Sequence, residues 1–315
     1  MFTLAHLSDP HLPPPASIPT RALLGKRFMG YLSYRVKRRD LHSDAVLAAL
    51  VADLKARHAD HIAVTGDLTT LGLPAEFAAA RDWLAALGPA DRVSAVPGNH
   101  DALVAVPWPD GVGRWRAFMQ SDVGAAPTGD EQAWPFVRAR PPVALVGVSS
   151  ACPTPPGSAA GRVGPRQLVR LCEALATLRA QGLFRVIMIH HPPIHDAASA
   201  RKRLLDARAF ARAIAQEGAE LILHGHNHTS VIDELAGPDG GVPVIGVTSA
   251  SAGPGHAKGG ARYHLYDIAQ AGADWTVTTR VRAIAPDGQG CVDVPGFGFT
   301  LPRPDLSPAD ARRAS

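Results

Sequence analysis

The chain has 315 residues, with 32 basic and 28 acidic side chains and a formal net charge of +4. Hydrophobic residues make up 46% and charged residues 19% of the sequence, a balance that excludes an intrinsically disordered or fibrous chain. The three cysteines are scattered without a CxxC spacing, which argues against a disulfide framework and favours a reducing compartment.

The apolar runs are too short for membrane spans, since runs such as residues 186–189 have only the length of a strand. The N-terminus has neither the basic region nor the long apolar region of a secretory signal. We therefore expect a cytoplasmic location.

Short apolar runs predict buried strands, because each run is bounded by turn residues and is mostly apolar on both faces. Helix-period stretches lie between them, and their alternation predicts βαβ units around a buried sheet. The predicted strands cover residues 4–8, 61–65, 93–96, 143–148, 185–189 and 221–223. The predicted helices run from the cap Ser43 to about His58, from Pro74 to Gly88, from Pro165 through Leu178, and over about 207–216.

The pattern changes after residue 221, where three further strands are separated only by turns. Residues 242–247, 262–268 and 275–284 therefore predict an antiparallel second sheet. The sequence indicates one sandwich domain over residues 1–285, with a basic amphipathic insert at 21–39. Because residues 286–315 are rich in proline and glycine, we expect an irregular tail there.

Five polar clusters fall at the carboxyl ends of predicted strands, where open α/β folds bind their ligands. Their side chains offer oxygen and imidazole donors and no thiolate, a set that suits Mn²⁺, Fe or Zn²⁺. The clusters are Asp9-Pro10-His11, Gly66-Asp67, Gly98-Asn99-His100-Asp101, His190-His191-Pro192-Pro193 and Gly225-His226-Asn227-His228.

The spacing within the clusters has a physical reason. Asp9 and His11 are two residues apart, so both side chains point the same way as a strand ends, and His226 and His228 repeat this arrangement. Glycines before Asp67, Asn99 and His226 permit tight turns and a close backbone approach to an ion.

In this order the clusters resemble the pattern D-x-H, G-D, G-N-H-D, H and G-H-x-H of the calcineurin-like metallophosphoesterases. The resemblance covers roughly residues 3–230 and implies an α/β fold, a four-layer α/β/β/α sandwich. It implies two divalent metal ions (Mn²⁺, Fe²⁺/Fe³⁺ or Zn²⁺) bridged by Asp67. The implied ligands are Asp9, His11 and His228 for the first metal and Asn99, His190 and His226 for the second.

The resemblance also implies a metal-dependent phosphoric ester hydrolase, in which a hydroxide between the two ions attacks a phosphoester small molecule. His100 matches the non-ligand histidine that faces the phosphate, and Asp101 matches the acid that orients His100. The G-N-H-D and G-H-x-H clusters look like those of the bacterial cyclic-nucleotide and glycerophosphodiester phosphodiesterase branch.

Three histidines near the clusters have a structural and a functional interpretation. In the family pattern the ligand lies two residues before proline, which selects His190 over His191. His224 fits either a supporting group or a core histidine. His195 fits a substrate contact on the loop after the fourth cluster, but the preferred interpretation is a solvated loop residue. We interpret the remaining histidines as structural or solvent-facing, namely His6, His42, His58, His61, His256 and His264.

The insert at 21–39 carries seven basic residues, no acidic residue and several interleaved apolar side chains. This composition is compatible with binding to an anionic substrate, to nucleic acid or to the anionic inner face of a membrane. It is also compatible with a solvated helix packed on the sandwich. Its aromatic residues favour a lipid surface over nucleic acid.

The insert motivates an alternative function, a UDP-2,3-diacylglucosamine-type lipid-linked pyrophosphatase. A nuclease is the third enzyme alternative. A metal-free scaffold, like the retromer subunit of this superfamily, is the alternative of another class. The sequence indicates no oligomeric state.

Overall fold

The computed structural model of the chain describes residues 1–38, 41–122 and 134–303, leaving aside the side chains of residues 37 and 38. Two mixed six-stranded sheets form its centre. The first sheet has the order β12-β11-β10-β1-β2-β3, in which β1, β2 and β3 are parallel. Its strands are β1 (Phe2–Leu7), β2 (His61–Val64), β3 (Val93–Ala95), β10 (Arg262–Ala271), β11 (Asp274–Ile284) and β12 (Cys291–Pro302).

The second sheet has the order β4-β5-β6-β7-β9-β8 and a parallel centre formed by β5, β6, β7 and β9. Antiparallel strands close it at both edges, β4 against β5 and β8 against β9. Its strands are β4 (Phe136–Arg140), β5 (Val143–Gly147), β6 (Phe184–Met188), β7 (Leu221–His224), β8 (Val231–Gly237) and β9 (Gly240–Gly246).

The helices begin where capping signals stand in the sequence. The Ser43 hydroxyl accepts a hydrogen bond from the N–H of Val46 at 3.4 Å, and proline opens two of the other helices. The α-helices are α1 (Lys26–Ser33), α2 (Asp44–Ala56), α3 (Pro74–Leu87), α4 (Pro165–Ala180) and α5 (Ala207–Glu217). Short 3₁₀ segments cover Thr20–Leu23, Trp108–Asp110 and Val112–Phe118, and a π-helical turn covers Tyr34–Arg38. Within the described residues, none of the helices combines the length and apolar character needed to cross a bilayer.

The two sheets face each other across the main core. Phe184 on β6 and Trp275 on β11 meet edge to face at 5.4 Å between ring centroids. The same core contains apolar residues of α2 and α3, whereas α4 and α5 pack on the second sheet in a separate cluster. This arrangement confirms the α/β fold with two sheets and helices on the outside that the sequence predicted.

The prediction of a separate antiparallel sheet after residue 221 is wrong. The strands of that region divide between the two sheets: β9 lies parallel to β7, whereas β10 pairs antiparallel with β1. The connection between β9 and β10, residues 247–261, is long enough to cross from the second sheet to the first. It contacts the end of the first strand on the way. Ala250 donates its N–H to the carbonyl of Ser8 in that region.

The prediction of an irregular tail over 286–315 is also wrong for the described part, because β12 extends the first sheet over Cys291–Pro302. An edge strand tolerates Pro295, since an N–H facing solvent is not needed for pairing. Gly296 permits close pairing, because a Cβ there would lie 2.0 Å from the carbonyl oxygen of Thr279. The sandwich therefore continues to residue 302, and residues 304–315 lie outside the described part.

Asp53 on α2 contributes to holding this helix on the first sheet, and its replacement tests that contribution. Burial alone would raise the pKa of Asp53, but hydrogen bonds from Arg282, Tyr263 and Arg57 lower it to about 2. We expect Asp53→Asn to lower the free energy of unfolding at neutral pH by about 1–3 kcal/mol. A carboxylate with a depressed pKa stabilises the fold above its ordinary value of 3.8, and this contribution is lost as the pH falls towards 2. The difference from wild type should therefore shrink over that range in urea unfolding.

Asp82→Asn is the matched control, because Asp82 pairs with Arg81 in an exposed position. We expect this control to change the free energy of unfolding by less than about 0.5 kcal/mol. A difference between wild type and Asp53→Asn that stays constant down to pH 2 would contradict the role given to the Asp53 charge.

Candidate metal centre

The candidate ligands meet at one end of the two sheets, where parallel strands finish. Asp9 and His11 follow β1, and Asp67 and Asn99 follow β2 and β3 of the same sheet. The second sheet contributes the other three, which are His190 after β6 and His226 and His228 after β7. The structure thus brings together all seven residues that the sequence selected as metal ligands.

The first group of donors surrounds His11. Its Nε2 lies 3.1 Å from His228 Nε2, 3.8 Å from Asp9 Oδ1 and 3.9 Å from Asp67 Oδ2. His228 Nε2 is in turn 3.1 Å from Asp9 Oδ1. These four side chains therefore bring their donor atoms to within 4 Å of His11 Nε2 or His228 Nε2.

The second group surrounds His190. Its Nε2 lies 3.4 Å from Asp67 Oδ2 and 3.2 Å from Asn99 Oδ1. Its Nδ1 donates to the carbonyl of Thr65 at 2.7 Å, which leaves Nε2 as the donor atom that faces the group. The ring of His226 lies 5.1 Å from that of His190. Asp67 Oδ2 is thus the atom that the two groups share, 3.9 Å from His11 Nε2 and 3.4 Å from His190 Nε2.

These donors fit divalent cations. Metal–ligand bonds of about 2.1 Å place neighbouring ligands about 3.0–3.4 Å apart, close to the spacing seen here. His226 Nε2 is buried without a hydrogen-bond partner, as expected of an atom aimed at an ion. Asp9 and Asp67 are 0% and 2% exposed, and the ion pairs found for their carboxylates among the described residues are with histidines. Buried carboxylates of this kind call for cations.

The backbone is strained at these positions. Within the described chain six non-glycine residues have a positive φ, and five of them are candidate ligands. Such left-handed conformations cost about 1–3 kcal/mol each and persist where the surroundings impose them, often at functional sites. The five are Asp9, His11, Asp67, His226 and His228.

Burial and the mutual charges of the donors shift their protonation. Burial would raise the pKa of Asp67, but the charges of His190 and His100 hold it well below its usual value. Burial would lower the pKa of His190, but the Asp67 carboxylate raises it to about 9. Burial lowers the pKa of His11 and His226 well below the usual value, which favours the neutral form that binds metals.

Gly225 is required by the close contact between the two sheets at the centre. A Cβ on this residue would lie 1.9 Å from Ser8 Oγ and 2.3 Å from Asp9 Oδ2. We expect Gly225→Ala to displace the Asp9 carboxylate and to reduce the metal content of the purified protein, measured by elemental analysis. Gly255→Ala is the matched control, because that Cβ would meet open space. Equal metal content in the two variants would contradict this contact.

His100 lies beside the first group, and its ring donor atom and those of His11 and Asp67 all lie within 4.8 Å of one another. Its ring centroid is 5.0 Å from that of His11, and its backbone N–H donates to Asp67 Oδ1 at 2.7 Å. The ring Nδ1 donates to the carbonyl of Thr70 at 2.7 Å, which fixes the tautomer and leaves Nε2 to face other groups.

The expectation that Asp101 orients the His100 ring is not met at Nδ1, since that atom donates to Thr70. The Asp101 carboxylate instead accepts hydrogen bonds from the N–H groups of Gly98 at 2.9 Å and Thr69 at 2.8 Å. Burial and the nearby Asp67 charge raise the pKa of Asp101 to about 7. Asp101 therefore ties together the two loops that carry Asp67 and Asn99.

His191 and His42 also lie at the centre. Both ring nitrogens of His191 have protein partners, the Ser150 hydroxyl at 2.7 Å and the carbonyl of Ala159 at 3.1 Å. His42 was interpreted as structural or solvent-facing, yet its ring lies 4.6 Å from that of His11 and its Nδ1 is 2.8 Å from Ser251 Oγ. No motif marks His42, because its position depends on how the insert returns to the sheet.

Comparison with known proteins agrees with this geometry. The family model for calcineurin-like phosphoesterases matches residues 2–230. A dimetal phosphatase from Danio rerio has a similar structure, with a TM-score of 0.59 and 14% identity over 96% of this chain and 99% of that one. A purple acid phosphatase, PPD1 from yellow lupin (Lupinus luteus) seeds, has a TM-score of 0.56 and 12% identity over 99% of this chain and 55% of that one. At these identities the likeness concerns the fold. A search of curated proteins found no match.

The fold and the converging donors define a metal-dependent phosphohydrolase with a dinuclear centre for divalent ions. The chain belongs to the calcineurin-like phosphoesterase family.

Proposed function

We propose that the protein is a phosphodiesterase whose two metal ions are held by Asp9, His11, Asp67, Asn99, His190, His226 and His228. The observation that carries the proposal is the convergence of these donors on both sides of Asp67 Oδ2, 3.9 Å from His11 and 3.4 Å from His190. When bound, the ions supply Lewis-acid polarisation of the phosphoryl group and activation of water as the nucleophile.

The chain's own groups position the substrate and move the proton. Because His100 Nδ1 donates to Thr70, its Nε2 is the ring atom that protonates the leaving oxygen or stabilises the charge on the phosphoryl group. The N–H of His100 holds Asp67 Oδ1, so the backbone that carries the proposed acid also fixes the proposed bridging carboxylate. This hydrogen bond limits how far the proposed proton donor can move relative to the proposed bridging carboxylate.

The resemblance of two clusters supports a diester rather than a terminal phosphate. The clusters 98–101 and 225–228 resemble those of the bacterial cyclic-nucleotide and glycerophosphodiester branch.

The test is a panel of substrates assayed with the metal-free protein reloaded with Mn²⁺, Fe²⁺ or Zn²⁺. We expect bis-p-nitrophenyl phosphate, a cyclic nucleotide or a glycerophosphodiester to be hydrolysed faster than p-nitrophenyl phosphate. A preference for the monoester would reject the diesterase assignment. A protein that binds no metal and stays inactive after Mn²⁺ addition would favour the scaffold alternative.

The second candidate function is hydrolysis of a lipid-linked pyrophosphate. One observation favours it: the apolar side chains of α1 are exposed, while the same helix contacts Leu71 and Leu103 near His100. Activity on UDP-2,3-diacylglucosamine, with none on bis-p-nitrophenyl phosphate, would support this candidate over the first.

A further inference from the structure

The insert between β1 and α2 presents an apolar surface to solvent. Eleven large hydrophobic side chains are exposed among the described residues, and six of them fall between residues 24 and 41. Their exposed fractions range from 40% to 73%, whereas a helix on a globular surface usually turns polar side chains outward. Leu41 follows the insert, and we call the other five the outer face of the insert: Leu24, Phe28, Met29, Leu32 and Val36.

The inner side of the same helix is firmly attached to the domain. Arg27 donates to the carbonyls of Leu71 at 3.2 Å and Gly72 at 2.6 Å. The Lys26 ammonium donates to Thr154 Oγ1 at 2.6 Å and to the carbonyl of Ser158 at 3.0 Å. The helix is therefore held on the domain by residues other than those of the outer face.

The insert lies next to the proposed catalytic histidine. Gly30 packs so closely that a Cβ would lie 3.2 Å from Leu71 and 3.3 Å from Leu103. Leu71 directly follows Thr70, whose carbonyl accepts from His100, and Leu103 donates its N–H to the carbonyl of His100 at 3.3 Å. One layer of side chains thus separates the helix from the His100 loop.

The positive charge of the insert indicates which kind of partner would cover its outer face. Residues 21–39 include seven basic and no acidic residues, and two of the seven, Lys26 and Arg27, bind the domain. Arg21 and Arg35 are exposed beside the outer face, and the run Lys37-Arg38-Arg39 follows in the sequence. Aliphatic side chains flanked by cations match the acyl and anionic headgroup layers of a bilayer. A second copy of the chain would bring like charges together, and nucleic acid would leave the apolar side chains exposed to water.

We propose that the outer face of the insert docks the protein on an anionic lipid bilayer. Leu24, Phe28, Met29, Leu32 and Val36 enter the headgroup–acyl boundary, and Arg21 and Arg35 pair with anionic headgroups. The docking itself does not depend on the proposed phosphodiesterase activity. It places the metal centre beside the bilayer, where phosphoesters carried by lipids are within reach.

The experiment is sedimentation of the full chain with vesicles of phosphatidylcholine, with and without phosphatidylglycerol. We expect binding only to the anionic vesicles and weaker binding at high salt. The triple variant Phe28→Ser/Leu32→Ser/Val36→Ser and the double variant Arg21→Glu/Arg35→Glu should each lower the partition coefficient at least about tenfold. Hydrolysis of a water-soluble diester should stay at the wild-type rate in both variants.

The matched control is Val169→Ser/Ile232→Ser, which removes equally exposed apolar side chains outside the insert and should bind vesicles like wild type. Unchanged vesicle binding in the triple variant would overturn the proposal. So would a wild-type dimer in analytical ultracentrifugation that ignores vesicles and dissociates on the same substitutions, because the face would then be an interface between copies.

Discussion

Replacement of Asp67 by asparagine is expected to release at least one metal ion and to lower turnover of a diester more than about 100-fold. Loss of an outer partner of a ligand typically costs about 10–100-fold, and a carboxylate shared by two ions should cost more. The reason is geometric, since Asp67 Oδ2 lies 3.9 Å from His11 Nε2 and 3.4 Å from His190 Nε2. Elemental analysis of the purified variant and its rate on bis-p-nitrophenyl phosphate check the expectation.

Asp196→Asn is the control for Asp67, because the Asp196 side chain is 90% exposed and should affect neither metal content nor rate. Circular dichroism establishes that the Asp67 variant is folded. A folded Asp67→Asn protein that keeps both ions would show that this carboxylate does not bridge them.

Replacement of His100 by alanine is expected to leave the metal content intact and to lower turnover about 10²–10⁴-fold, the usual contribution of a general acid. His100 lies beside the donors and is oriented by the Thr70 carbonyl, so its loss should affect the proton transfer and spare the ligands. The loss should be smaller for a substrate with a good leaving group, such as a nitrophenyl ester, than for an alkyl ester.

His58→Asn serves as the control for His100, since His58 is exposed and asparagine tolerates its positive φ of 51°. Wild-type rates of His100→Ala on several diesters, with both ions present, would refute the role of proton donor. Loss of metal from the same variant would mean that His100 supports the ligands instead.

Much of the fold could be predicted from the sequence because buried parallel strands are uniformly apolar and end in turn residues. β4 was missed because it carries Arg138, only 3% exposed, whose guanidinium donates to the carbonyls of Gln120 and Val93. The apolar run that would indicate a buried strand is broken there. β12 was missed because its prolines and glycines look like a coil, and only its pairing with β11 makes it a strand.

The candidate ligands could be selected because each lies directly after a strand, where a short motif fixes the direction of its side chain. The partners that orient them are not visible in the sequence. The carbonyls of Thr65 and Thr70 belong to the backbone, and every residue offers one. His42 reaches His11 only because the chain returns beside Ser251 after the insert.

The origin of the donors in two sheets has a consequence for the stability of the whole domain. Asp9, His11, Asp67 and Asn99 come from one sheet, while His190, His226 and His228 come from the other. An ion bound to both halves is a cross-link between the layers and stabilises the native state in proportion to the logarithm of its concentration. Chelation should therefore lower the melting temperature as well as the rate, and the two sheets should separate more easily without the ions.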